Sequence, residues 1–159
     1  MKLNYLLILL IFILASSCDS TAYVKGEKKA RAAVDSFATY YFNWQFQKAS
    51  RFVTDSSQVW LRYAASQVHE ADITILREKE DATIEIEDVD VTSLYGPKAR
   101  ITVRDFLRMD TIGTKGHLVK KASYILYLEE VPEEKVRWKI RMEGLPQSEK
   151  RNRDLVGGE

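Results

Sequence analysis

The side chains able to do chemistry in this chain are few. Cys18 is the only cysteine, and the two histidines, His69 and His117, stand far apart. His69-Glu70-Ala71-Asp72 gathers an imidazole and two carboxylates. A metal, however, needs several ligands converging in space, and one local histidine lacks the two-histidine spacing of a specific site. No metal is expected, and His69 reads as a solvated helix end, where the dipole favours a cation. His117 falls in a hairpin turn. The neighbouring "GTKG" lacks the Lys-Ser/Thr ending and the following helix of a phosphate loop. Past the N-terminal segment there is no Ser-His-acid pattern, no Cys-His pair and no dinucleotide fingerprint, so no cofactor is expected.

Two polar residues fall on apolar phases and are the catalytic candidates. Asp105 continues the series Ala99, Ile101, Val103, so a regular strand points its carboxylate into the core, where burial would raise its pKa and suit it to general acid or base work. A second bulge near Arg104 to Phe106, or a pairing arginine, would cancel that role. Tyr124 shares the phase of Ala122 and Leu126 and could donate its hydroxyl to a ligand; the plainer reading is a core tyrosine with its hydroxyl at the rim. Tyr41, Trp44, Trp60, Tyr63 and Trp138 are candidates to line an apolar pocket, though aromatics at helical and strand spacing usually pack the core.

The elements that position these residues follow from hydrophobic period. Ala30, Ala33, Val34, Phe37, Tyr41 and Trp44 trace one helical face from Glu27 onward. Asn43 interrupts it, and Phe46, Ala49, Phe52 and Val53 mark a shorter second helix. Thr54 to Ser57 is a cluster of N-cap residues, after which Val59, Trp60, Tyr63, Ala64 and Val68 predict a third helix ending near His69 to Asp72. The period then falls to two. Ile84 and Ile86 alternate, the phase slips across Glu87 and Asp88, and Val89 and Val91 resume, the mark of a β-bulge. Strands follow over Ala99 to Val103 and Ala122 to Leu128, joined by a hairpin with Gly113 and Gly116. Val131-Pro132-Glu133-Glu134 makes a turn into a strand over Val136 to Met142, whose outer row is Lys135, Arg137, Lys139 and Arg141. That row is a solvent face or a surface for an acidic partner or lipid headgroups. The expected class is α+β, three N-terminal helices packed on a mainly antiparallel four-stranded sheet.

The N-terminus supplies an address. Lys2, the apolar run Leu6 to Leu14 and the small residues Ala15, Ser16 and Ser17 have the order of parts of a secretory signal, and the run is too short to span a bilayer. Ala15-Ser16-Ser17 fits ordinary signal peptidase, which leaves Cys18 a free thiol. Leu14-Ala15-Ser16-Ser17-Cys18 resembles the bacterial lipoprotein signal, with cleavage between Ser17 and Cys18 and acylation of Cys18; Ala15 stands where leucine is commonest. A lone thiol in an oxidising compartment has no disulfide to make, and lipidation consumes it. The organisation expected is therefore a signal peptide 1–17, a lipidated cysteine and short tether 18–26, a domain 27–145 and a flexible charged tail 146–159. Basic and acidic residues number 24 and 23, so no global field favours nucleic acid as a partner.

The stretch "ARAAVDSFATYYFNWQFQKASRFVTDSS", followed by the four-strand meander, resembles the nuclear transport factor two-like superfamily, also called SnoaL-like or cystatin-like, and in particular its small bacterial lipoproteins. The resemblance covers about residues 27 to 143. It implies a cone, a curved sheet wrapped around a long N-terminal helix, with a pocket at its mouth. It also implies a place in the bacterial cell envelope, anchored to the lipid bilayer through Cys18. The resemblance supports a fold without placing catalytic residues, so the expected role is a binding module for an envelope protein or a small apolar ligand. The alternatives are an isomerase or cyclase acting on a small apolar substrate, and a structural subunit of a secretion or conjugation assembly.

Overall fold

The computed structural model of the chain describes residues 18–109, 114–132 and 134–149, with side chains from residue 22 onward. The expected signal segment with Ser17, the hairpin apex with Gly113, Glu133 of the last turn and the tail from residue 150 lie outside the described residues.

Helix α1, Cys18–Phe42, runs unbroken for 25 residues, about 37 Å at its rise per residue. Among the described residues it reaches back to Cys18, past Glu27. The segment expected as a tether is helical as well, although Gly26 in it costs about 1 kcal/mol. Ala30, Ala33, Val34, Phe37, Ala38 and Phe42 form a buried stripe, whereas residues 22–29 are exposed or half-exposed and stand clear of the core. The helix ends in a Schellman motif: Gln45 N donates to Tyr40 O at 2.8 Å and Trp44 N to Tyr41 O at 3.0 Å. Asn43 ties that end to the sheet, since its Oδ1 accepts the Ala82 N–H at 2.8 Å.

Helix α2, Phe46–Ala49, leads through short 3-10 turns at Ser50–Phe52 and Asp55–Ser57 into α3, Gln58–Ser66. The hydroxyls of Thr54 and Ser57, expected to cap the third helix, do something else. They lie 2.6 Å apart, and Ser57 Oγ accepts the Met142 N–H at 2.8 Å, closing the end of the last strand. The third helix is also shorter than expected. It stops at Ser66, and a fourth helix, α4, spans Glu70–Glu78. His69, extended at φ −97° and ψ 155°, opens α4 instead of closing a helix; the Asp72 carboxylate accepts its backbone N–H at 2.9 Å. The chain therefore has four α-helices among the described residues where three were expected.

Strands β1, Thr83–Asp90; β2, Lys98–Arg108; β3, His117–Glu130; and β4, Trp138–Arg141, form one open antiparallel sheet in the order β1-β2-β3-β4. The expected bulge is present: the register shifts between Ile86 and Asp88, leaving Glu87 unpaired. Its carboxylate accepts the Thr102 hydroxyl at 2.5 Å, and that hydroxyl also lies 2.9 Å from Ser123 Oγ. The inner row of Val89, Ala99, Ile101, Val103, Tyr124, Leu126, Leu128 and Ile140 packs with the α1 stripe as one core. Val53 bridges to Ile140 as a short parallel partner, which covers part of the β4 edge.

Three of the four cations of the basic row along β4 are paired with nearby acids. Lys139 is buried and paired with Glu134, Arg137 Nε lies 2.5 Å from Glu130, and Arg141 lies 3.6 Å from Glu143. Lys135, Arg137 and Arg141 are exposed, so the row is a solvent face except at Lys139.

Candidate functional site

The C-terminal end of α1 is crowded with rings. Tyr41 stacks on Phe37 with centroids 5.3 Å apart, Phe42 meets Phe106 edge-on at 5.3 Å and Tyr124 at 4.8 Å, and Trp44 lies 6.0 Å from Phe46. Between them is a cavity of about 70 Å³. Its walls include Tyr41, Phe42, Trp44, Phe46, Phe106 and Tyr124, with Arg108 and the segment Leu145 to Ser148 at the polar side. Among the described lining residues there is no carboxylate and no imidazole.

Two unusual backbone positions shape this cavity. Trp44 sits at φ 57°, the left-handed position of the Schellman motif that glycine normally fills. A bulky residue there costs on the order of 1–3 kcal/mol, offset in part by the indole Nε1–H, which donates to Leu107 O at 3.0 Å across the cavity. Asp105, at φ 52°, is the second. Inward positions on β2 run Ala99, Ile101, Val103 and then Phe106, so the phase inverts across Arg104 and Asp105, both exposed. The paired strand inverts at the same level, from Tyr124 and Ala122 to Val119, while Arg104 stays opposite Lys121 and Phe106 opposite Val119. The two strands thus turn together without losing register, and the turn brings the Phe106 ring into the cavity.

The outward rotation weighed for Asp105 is present, made by a left-handed residue with the register kept and not by a bulge. The Asp105 carboxylate is exposed and does not line the cavity. Aspartate is among the residues that best tolerate left-handed φ after glycine, which accounts for its type. Tyr124 is buried and lines the cavity, as do Tyr41 and Trp44. Trp60 and Tyr63 do not; they contact each other edge-on at 6.4 Å on α3. Trp138 is buried in the core away from the cavity, with Nε1 unpartnered among the described residues. Burial, with Tyr124 adding to it, pushes the Tyr41 phenol far above the usual tyrosine range. Tyr41 is a neutral hydrogen-bond donor at any physiological pH and no proton shuttle.

Sequence reasoning missed Phe42, Phe46, Phe106, Arg108 and the Leu145 to Ser148 segment. Ser148, placed by sequence in the tail, pairs with Tyr124 as an isolated antiparallel bridge and helps wall the cavity. The other face of Leu145 to Gln147 bounds a shallower groove of about 320 Å³ beside Ile125, Tyr127 and Met142. Asp72, three residues after His69 in the helix end expected to be solvated, is fully buried; its Oδ1 accepts the Gly116 N–H at 2.8 Å. Gly116 is required there, because a Cβ would lie 2.8 Å from Leu107 Cγ. No group of acids, histidines or cysteines among the described residues converges as a metal site, and no described helix is long and apolar enough to cross a membrane. Comparison with protein families, with curated proteins and with solved structures finds no match to the chain.

Proposed function

We propose that this chain is a bacterial envelope lipoprotein, held on a bilayer by acyl chains on Cys18, whose domain binds a small apolar ligand without transforming it. The observation that carries the binding reading is the cavity at the end of α1: six aromatic rings with hydroxyls from Tyr41 and Tyr124, and no described acid or base to move a proton. An isomerase or cyclase needs such a group, and Asp105, the candidate for it, is on the surface. On this reading the sheet curves around α1 as the cone of the nuclear transport factor two-like superfamily, and the shared turn at Asp105 is the bend that forms its mouth. The volume, about 70 Å³, is well under the roughly 300 Å³ at which drug-sized pockets begin, so the ligand is small or enters only in part.

Phenol titrated into the isotope-labelled domain tests this. The Trp44 indole N–H, held against Leu107 O, and the amides of Tyr41, Phe106 and Tyr124 should shift together at low millimolar phenol. Shifts scattered evenly over the surface would refute a cavity ligand. For the anchor, palmitate labelling should vanish in Cys18→Ser; equal labelling of both proteins would refute lipidation.

A further inference from the structure

The tip of the first hairpin carries side chains that neither the fold nor the turn requires. Leu94 is 99% exposed and Tyr95 89%, the most exposed large apolar residues among those described. They occupy the two central positions of a turn closed by Gly96 N–H donating to Ser93 O at 3.0 Å. The turn is made by other residues: Gly96 takes the left-handed φ of 92°, and Asp90 Oδ1 accepts the Thr92 N–H at 2.9 Å. Polar residues would serve at 94 and 95 equally well.

Their place in the molecule gives them a use. Helix α1 runs antiparallel to β1, pinned where Asn43 Oδ1 accepts Ala82 N–H and again where Arg31 Nη1 donates to Ile86 O at 3.2 Å. From Arg31 back to Cys18 the helix covers about 20 Å. From Ile86 forward to Leu94 the bulged strand and turn cover about 20–25 Å in the same direction. The hairpin tip and Cys18 therefore lie at one end of the molecule, opposite the cavity. Tyr23, 42% exposed, and Val24, 61% exposed, are on the helix at that end too.

We propose that Leu94 and Tyr95 insert into the same bilayer that holds Cys18, a second contact point that fixes the domain's orientation on the membrane. This rests on the lipoprotein reading above. A leucine reaching the acyl region and a tyrosine at headgroup level match the chemistry of the interface. Charge at this end is mixed: Lys25, Lys28, Lys29 and Lys98 stand with Glu27, Asp88 and Asp90. The attraction is apolar, needs no anionic lipid and does not weaken with salt.

The acylated full-length protein is reconstituted in phosphatidylcholine vesicles, where acylation leaves a thiol introduced by Leu94→Cys as the sole labelling site for an environment-sensitive dye. Leu118→Cys, at an exposed residue of β3, is the control. The dye at 94 should emit at shorter wavelength and be quenched by bromine-bearing acyl chains, at low and high salt alike, while the dye at 118 stays water-like. Vesicle-bound protein whose dye at 94 behaves like that at 118 overturns the insertion and leaves the anchor standing. Protein that neither takes up palmitate nor floats with vesicles overturns the anchor and the insertion together.

Discussion

Helices α1 and α4 are held to the rest of the domain by opposite means. Helix α1 buries six apolar side chains from Ala30 to Phe42, each large one contributing about 1.5–3 kcal/mol. In α4 the only buried residue is a carboxylate, Asp72; Ile73 is 41% exposed, and Ile75 and Leu76 are half-buried. One carboxylate accepting two hydrogen bonds, from His69 N–H and Gly116 N–H, takes the place of a hydrophobic face. A packed stripe gives cooperative stability with many redundant contacts. A single buried acceptor gives position, and it fails all at once when removed.

Breaking the α1 side of this comparison should have the largest effect. Phe37→Ala, at a fully buried ring, should cost about 3–5 kcal/mol and lower the denaturant midpoint of the whole molecule. Asp72→Ala should cost about 2 kcal/mol, from two donors left without their acceptor, and should act locally. Hydrogen exchange of Gly116 and of the α4 amides should speed up while the amides of β2 and β3 stay protected. Uniform loss of protection would show that α4 is integral to the core after all. The smallest effect is visible only in alkali. Because the Tyr41 pKa is raised in the folded state, its contribution is fully present below the unfolded value of about 10 and declines as pH rises above it. Tyr41→Phe should flatten the fall in melting temperature above about pH 10 and change little at pH 7. The α4 amides should be indifferent to that substitution at both pH values.

The same contrast explains what could be read from sequence. Period carried the α1 stripe, the meander order and the bulge at Glu87, because each expresses a repeated choice between water and core. Asp72 belongs to no period. Its partner Gly116 is far along the chain, and of the two acids between His69 and Ile73 nothing in the sequence marks Asp72 as the buried one. Asp105 was open in sequence for a related reason: strict alternation points it inward, and one left-handed backbone angle, which no spacing announces, turns it out and Phe106 in. Of the cavity, Tyr41, Trp44 and Tyr124 were legible as aromatics. Phe42 and Phe46 lay unweighed in the same "YYFNWQF" run, and Ser148 joined only through a tertiary bridge.

Trp44 has a consequence for how the domain could be improved or spoiled. Glycine at the left-handed position after α1 would relieve the backbone and keep the hydrogen bonds of the helix end. It would also delete the ring that spans to Leu107 and take one wall off the cavity. The residue that strains the helix end is thus the one that walls the cavity, and the strain and the wall are kept or lost together.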